Sequence, residues 1–194
     1  NATAALYESA PDILLGAFGD LPNYRQRTGQ RLWLNQPAGG GDGFRGFWLR
    51  TSGSWHDIAP RTSLSGASYD WNSATVQAGA DFNLGDWTLG LTAQYGRLNA
   101  DVTNPLGVGS LEGDGYGIGA NATWTGGSGS YLDMQAQANW ISAGFATNTA
   151  GTLASDADMS GYALSIEAGH AFALGPNQSL TPQIQLAWGG IDGA

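Results

Sequence analysis

The sequence contains no cysteine and only two histidines among its 194 residues. The absence of cysteine excludes structural disulfides, iron–sulfur clusters, thiolate metal sites and a cysteine nucleophile. His56 and His170 are too few for a histidine-rich metal site. We therefore expect neither a metal ion nor a cofactor.

Positive charge is scarce, because all seven cationic residues are arginines and the formal net charge is −9. Charged residues make up 12% of the chain, about half the share found in soluble globular domains. Binding to phosphate requires clustered lysine and arginine. The composition therefore argues against a nucleic-acid partner.

Long apolar runs are also missing, since no segment approaches the ~18–20 consecutive apolar residues that a transmembrane helix requires. The mean hydropathy of −0.20 agrees. A membrane β-barrel leaves this average neutral, because only every second residue of its strands faces lipid. Alternation along the strands therefore has to decide the fold class.

Residues 1–36 lack strand alternation and predict a helical segment. Ser9, Pro11 and Asp12 have the composition of a helix start, and a second helical stretch is expected over residues 24–34. Residues 37–43 are glycine-rich and predict a flexible linker.

From Phe44 onward, long strands alternate with turn residues. Short turns at Gly85, at 126–129 and at 175–177 alternate with longer polar segments at 58–67, 102–111 and 147–157. This layout is typical of outer-membrane barrels, which have short turns at one rim and long loops at the other. Seven strands are predicted, at about 44–57, 68–84, 86–101, 113–125, 129–146, 158–174 and 178–190.

The strands alternate apolar and polar residues, and the polar face carries glycine, serine, threonine, glutamine and asparagine with few charges. A soluble sheet would expose lysine, glutamate and arginine instead. We therefore predict an all-β, antiparallel transmembrane barrel. Trp48 and Trp71 fall on the polar face, which predicts bulges there or a position above the bilayer. Aromatic residues near the turns predict interfacial girdles, namely Trp87, Trp124, Tyr131 and Phe172.

Six segments, in order along most of the chain, resemble the β-domain of autotransporter (type V secretion) proteins. One is the arginine-containing stretch that precedes the first strand, and the others are strand motifs of the types Trp-x-Arg, Gln-Ala-Gly-Ala-Asp, Tyr-x-Asp, Ser-x-Glu-x-Gly and Pro-Gln-x-Gln. In this sequence they are Tyr24–Arg31, Phe47–Arg50 with Gly53, Gln77–Asp81, Tyr131–Asp133, Ser165–Gly169 and Leu180–Leu186.

This resemblance implies a twelve-stranded barrel in a Gram-negative outer membrane, with an N-terminal α-helical plug in its pore. It also implies an N-terminal passenger, insertion with the barrel-assembly machinery, and contact with outer-membrane lipid or lipopolysaccharide. About seven strands are predicted within residues 44–194. Seven strands would leave unpaired edges, which hydrocarbon does not tolerate, so we expect this region to be the N-terminal part of the barrel.

Asp81, Asp133 and Glu167 fall on the polar face of their strands. One hypothesis is that these acids hold the arginines of the plug, because ion pairs strengthen at reduced dielectric. The alternative is pairing between the walls without contact to the helix. The cations concerned are Arg25, Arg27 and Arg31 on the plug and Arg50 on the first strand.

We expect no enzymatic activity. Some members of the family cut themselves at an Asn-Asn bond, and this sequence has no such pair; self-cleavage involving Asn1, Asp133 and Glu167 remains an alternative. Two other functions also stay open. One is a porin or an adhesin-type barrel with binding loops, and the other is a soluble β-rich binding domain.

Overall fold

The computed structural model describes residues 1–29, 31–35, 41–59, 62–176 and 178–193. Two helices precede the strands along the chain. In order, the elements are α1 (Ala2–Phe18), α2 (Tyr24–Gly29), β1 (Leu32–Asn35), β2 (Gly43–Ile58), β3 (Ser68–Leu84), β4 (Trp87–Asn104), β5 (Gly107–Thr125), β6 (Ser130–Thr147), β7 (Gly151–His170), β8 (Phe172–Gly175), β9 (Gln178–Leu180) and β10 (Gln183–Gly193).

Eight strands form one antiparallel sheet in the order β1-β2-β3-β4-β5-β6-β7-β10, and β8 and β9 form a separate hairpin. Seven strands of the large sheet are 11 to 20 residues long, which confirms the seven long strands. Within the described ranges the sheet is open, with β1 and β10 at its edges.

Each long strand places one face inward against the helices and one face outward. On the outer face Leu91 is 63% exposed and Ile118 is 57% exposed, and no helix or second sheet among the described residues covers them. The alternation read from the sequence therefore sorts side chains as predicted, with the apolar stripe outside.

The two ends of the sheet differ in their connections. At one end, the turn rim, Gly85 joins β3 to β4 with a φ of +58°, a conformation that glycine adopts without steric cost. The opposite end, the loop rim, carries residues 59 and 62–67 and the connections between β4 and β5 and between β6 and β7. α1 begins at the loop rim, where the Asn104 side chain donates to the main-chain oxygen of Asn1 at 3.2 Å.

Two predicted long loops are wrong. The segment 102–111 is mostly strand, with only residues 105 and 106 between β4 and β5, and the segment 147–157 shortens to residues 148–150. Cross-strand pairing with β5 and β6 overrides the turn-like composition of these segments. Among these connections, only the one between β2 and β3 remains a longer loop.

The N-terminal segment also differs from the prediction. α1 begins at Ala2, because the Asn1 side chain accepts the N–H of Ala4 at 2.9 Å and acts as the N-cap; Pro11 lies inside the helix. α2 ends at Gly29, and residues 32–35 form β1, which pairs with β2. The predicted linker at 37–43 lies outside the described residues except for 41–43.

The hydrophobic core lies between α1 and the inner face of the sheet near the loop rim. Leu6, Ile13, Leu14 and Phe18 are buried, and each contributes roughly 1.5–3 kcal/mol on burial. They pack against wall residues that are also apolar, so this part of the lumen is not the polar surface that was expected. The wall residues are Trp71, Leu98, Val102, Leu111, Ile141 and Phe145.

None of the helices in the described ranges is long and apolar enough to cross a membrane.

Candidate functional site

The inner face of the sheet changes character from one rim to the other. Near the turn rim it carries carboxylates, which we call the acid tier: Asp81, Asp133 and Glu167. Next come neutral side-chain amides, and nearest the loop rim comes the apolar wall of the core. The amide tier consists of Gln94, Gln135, Gln137, Asn139 and Gln185.

Arg27 of α2 forms an ion pair with Asp133 of β6. Both side chains are buried, at 4% and 0% exposed. The Thr123 hydroxyl lies 2.9 Å from the Arg27 guanidinium and donates to the same carboxylate at 2.5 Å. A buried charge needs such partners, because an unpaired one is costly.

Arg31 forms the second ion pair, with Asp81 of β3. The indole ring of Trp48 covers the Arg31 guanidinium at 4.0 Å, and its N–H donates to the Asp81 carboxylate at 3.1 Å. Trp48 thus contacts both members of the pair. β2 does contain a bulge, as predicted, with a register shift between Phe44 and Gly46. Trp48 lies beyond it, in regular pairing with Gly79 of β3, and its inward position brings its indole to this ion pair.

Glu167 of β7 is buried but binds no arginine in the described structure. Its carboxylate accepts the main-chain N–H of Tyr24 at 2.9 Å and the Tyr131 hydroxyl at 2.5 Å. The rings of Tyr24 and Tyr131 pack at 4.8 Å. The Glu167 carboxylate therefore binds the main chain at the start of α2, where free N–H groups and the positive end of the helix favour a negative charge.

The amide tier binds the main chain between α1 and α2. The Phe18 carbonyl accepts from Gln137 at 2.7 Å, from Asn139 at 3.0 Å and from Gln94 at 3.4 Å. The Pro22 carbonyl accepts from Gln135 at 2.8 Å, and the Leu21 carbonyl accepts from Gln185 at 3.2 Å. These bonds satisfy carbonyls that no helix pairs.

At the loop rim, Glu8 of α1 binds the loop between β2 and β3. Its carboxylate accepts the main-chain N–H groups of Leu64 at 2.9 Å and Ser65 at 3.0 Å, and also the Ser65 hydroxyl. These hydrogen bonds, the Ser65 hydroxyl first, lower the pKa of Glu8 below its ordinary value.

Two of the predicted cations do not join the acid tier. Arg25 is exposed and donates to the Thr181 hydroxyl at 2.6 Å. Arg50 forms no ion pair within the described ranges and faces a cavity of about 180 Å³ that Asp20 also lines. The sequence assigns Arg25 to the plug and Arg50 to the first strand, but it does not show which carboxylates come within reach of their guanidinium groups.

Three of the four predicted interfacial aromatics lie on the outside near the turn rim: Trp87, Trp124 and Phe172. Tyr131 does not, because it shares the parity of Asp133 and points into the lumen. A second group of outward aromatics lies nearer the loop rim, and among these Tyr116 and Trp140 stack at 5.5 Å. The others are Tyr95, Tyr162 and Trp188.

The described residues hold no group of three or more histidine, cysteine, aspartate or glutamate side chains that could bind a metal ion. Asn1 lies at the loop rim, whereas Asp133 and Glu167 lie near the turn rim. The 17-residue α1 separates them, which corresponds to about 25 Å. Asn1 and these acids therefore do not form one site.

Sequence reasoning missed several members of the site. Trp48 and Tyr131 carried a usable signal, because large aromatics at inward positions of polar strands indicate contact with something inside the lumen. Tyr24 and Thr123 carried none, since their roles depend on which residues the fold brings near. The amides were recognised as lumen-facing, but not as donors to a particular segment.

Comparisons with known proteins agree with this arrangement. A family model described as the autotransporter beta-domain matches residues 47–194. The adhesin BmaC autotransporter of Brucella suis biovar 1 (strain 1330) is 36% identical over 202 residues, which cover 96% of this chain and 6% of that protein.

Two solved structures share the fold. The transport unit of the autotransporter AIDA-I from Escherichia coli superposes with a TM-score of 0.73 at 19% identity, covering 97% of this chain and 62% of the other. The β-domain of the Bordetella autotransporter BrkA gives 0.58 at 24% identity, covering 78% and 59%. The chain spans less than two thirds of the length of each relative.

Proposed function

Because the chain belongs to the autotransporter β-domain family of Gram-negative outer membranes, we propose that it anchors and exports a passenger joined to its N-terminal side. The observation that carries the proposal is the path of residues 1–29 and 31–35. α1 begins at the loop rim, α1 and α2 follow the inner wall, and β1 runs beside β2 toward the turn rim.

In this proposal residues 1–29 are the part of the predicted plug (1–36) that lies in the pore, and β1 joins the wall beside β2. Residues 37–43 are the linker and residues 44–194 the rest of the barrel wall. The Arg27–Asp133 and Arg31–Asp81 pairs hold the plug together with Glu167, while Arg25 and Arg50 act only peripherally. The core around α1 holds the other half of the plug. Burial of four apolar side chains there contributes roughly 6–12 kcal/mol, more than the ion pairs would after desolvation.

The outer stripe supports contact with lipid. Its exposed apolar residues lie between two levels of aromatic side chains, and outer-membrane barrels carry such girdles on both sides of an apolar band about 25 Å tall. A soluble binding domain would not leave so large an apolar surface uncovered. The barrel-assembly machinery as a partner is a proposal based on the family alone.

The structure favours export over the other barrel functions considered. A porin needs an open channel, but α1 and α2 occupy this lumen. An adhesin that binds through barrel loops needs long loops, but two of the three expected here are short turns. The Brucella relative is named an adhesin, and we propose that any adhesive activity belongs to the passenger, with no enzymatic role for the barrel.

Surface display tests the proposal. The full-length protein that carries this chain would be expressed with an epitope in its passenger, and intact cells would be treated with protease. We expect the epitope to be cleaved while the barrel stays in the outer-membrane fraction. An epitope that remains protected in intact cells but not in lysed cells would refute export.

A further inference from the structure

In the plug, the amide tier binds main-chain carbonyls of residues 18–22, which run from the last residue of α1 into the connection to α2. Its five side chains come from β4, β6 and β10, and their donors reach the carbonyls of Phe18, Leu21 and Pro22. None of these bonds involves a side-chain atom of residues 18–22. A carbonyl acceptor of this kind is present in every residue of every polypeptide.

The chemistry of the amide tier differs from that of the acid tier. Carboxylates attract arginine and repel acidic side chains, so the acid tier distinguishes one sequence from another. Side-chain amides are neutral and carry two N–H donors each. They therefore bind acidic, basic and neutral segments through the same carbonyl contact.

Four of the five amide side chains, all but Asn139, also donate to an acceptor within the wall. Asn139 Oδ1 accepts from Gln94 at 2.9 Å and from Gln137 at 3.1 Å, and the Ser165 hydroxyl accepts from Gln185 at 3.2 Å. When a carbonyl leaves, these donors keep a hydrogen bond, so the cost of leaving them unsatisfied is avoided. Bound segments can therefore be exchanged at little cost.

We propose that the amide tier is a binding site for polypeptide main chain that does not select for side chains. Residues 18–22 occupy it at rest, and the passenger occupies it during transit. The part about transit depends on the export function proposed above, whereas the resting contact does not.

The resting contact is tested by pore conductance of the full-length protein in planar bilayers. Gln135→Met, Gln137→Met and Gln185→Met together keep side-chain length but remove the donors. Since each neutral hydrogen bond changes an equilibrium about fivefold, we expect the open fraction to rise on the order of a hundredfold. If the triple variant does not fold, the single variants test the proposal instead, and each should raise the open fraction about fivefold.

Two controls separate main-chain binding from other effects. Gln77→Met alters an inward amide whose hydrogen bond is to Gln94, at 3.4 Å, and should leave the open fraction unchanged. Asp20→Ser changes an exposed side chain of the bound segment and leaves its main chain in place, so it should change the open fraction by less than about fivefold. A triple variant that stays closed, or a segment variant that opens as much as the triple variant, would overturn the proposal.

Transit is tested with two passengers that differ only in a stretch rich in glutamate or rich in arginine. The wild-type barrel should display both at similar rates. Gln137→Glu with Gln185→Glu should slow the arginine-rich passenger several-fold relative to the other, because the new carboxylates attract arginine. If the wild-type barrel itself displays the two passengers at rates that differ several-fold, main-chain binding during transit is refuted. If neither passenger reaches the surface, the export proposal fails, while the conductance experiment still decides the resting contact.

Discussion

The buried pair between Arg27 and Asp133 makes a quantitative prediction about how the plug is held. Arg27→Met keeps most of the side-chain volume and leaves Asp133 charged at 0% exposure, with the Thr123 hydroxyl as its remaining partner. Removing one member of a buried pair costs about 3–5 kcal/mol, mainly because the other charge stays buried without compensation.

If this cost falls on the plugged state, the open fraction of the pore should rise by about two to four orders of magnitude. Arg27→Met combined with Asp133→Asn removes the unpaired buried charge and should lower the open fraction of the pore back toward the wild-type value. The coupling energy from the double-mutant cycle should reach about 2 kcal/mol or more. Single-channel recordings in planar bilayers supply all four open fractions.

Arg25→Met is the matched control, because Arg25 is exposed and its one side-chain hydrogen bond among the described residues is to the Thr181 hydroxyl. We expect its open fraction to change by no more than about threefold. Heat-modifiable gel migration would confirm that each variant contains a folded barrel. The reasoning fails if Arg25→Met opens the pore as much as Arg27→Met, or if the double variant is as open as the single Arg27 variant.

Three further predictions concern other parts of the structure. In Gly79→Ala the new Cβ would lie 2.3 Å from the indole of Trp48, so the free energy of unfolding in detergent should fall by about 1–3 kcal/mol. Ile118→Arg places a charge on the lipid-facing stripe and should lower folding stability in bilayers by about 2–4 kcal/mol. The hydrogen bonds of Glu8 require the carboxylate, so they should persist above its ordinary pKa of 4.5 and be lost as the pH falls through the lower folded pKa. Limited proteolysis of the loop between β2 and β3 should show that loss, and Glu8→Ala should abolish the pH dependence.

Each of these predictions has a control in the same chain. Gly127→Ala should be neutral, because no atom of the described part of the chain lies within 4 Å of the added Cβ. Asn99→Arg lies on the same outward face of β4, beyond Tyr95 toward the loop rim, and should cost little. If Gly127→Ala lost as much stability as Gly79→Ala, or Asn99→Arg as much as Ile118→Arg, the contact with Trp48 or the lipid-facing position would be contradicted. If proteolysis of the wild-type loop did not change with pH, the role given to Glu8 would be contradicted.

The sequence by itself determined the strands and their two faces. Alternation with a period of two is a local property, and a shift of one residue would move a whole strand's apolar set to the other face. For this reason the inward positions of Asp81, Asp133 and Glu167 were predicted correctly. Turn composition was a weaker guide, because pairing with neighbouring strands extended β5 and β7 into segments that looked like loops.

Only the tertiary structure decided which groups meet inside the lumen. Arg27 and Asp133 lie 106 residues apart in the chain, and their contact depends on how α2 docks against the inner face of the sheet. The same docking directs Glu167 to a main-chain N–H and brings five amides to three carbonyls. Local patterns assign each residue to a face, but contacts between a helix and a wall depend on the position and rotation of the whole helix, which no local pattern encodes.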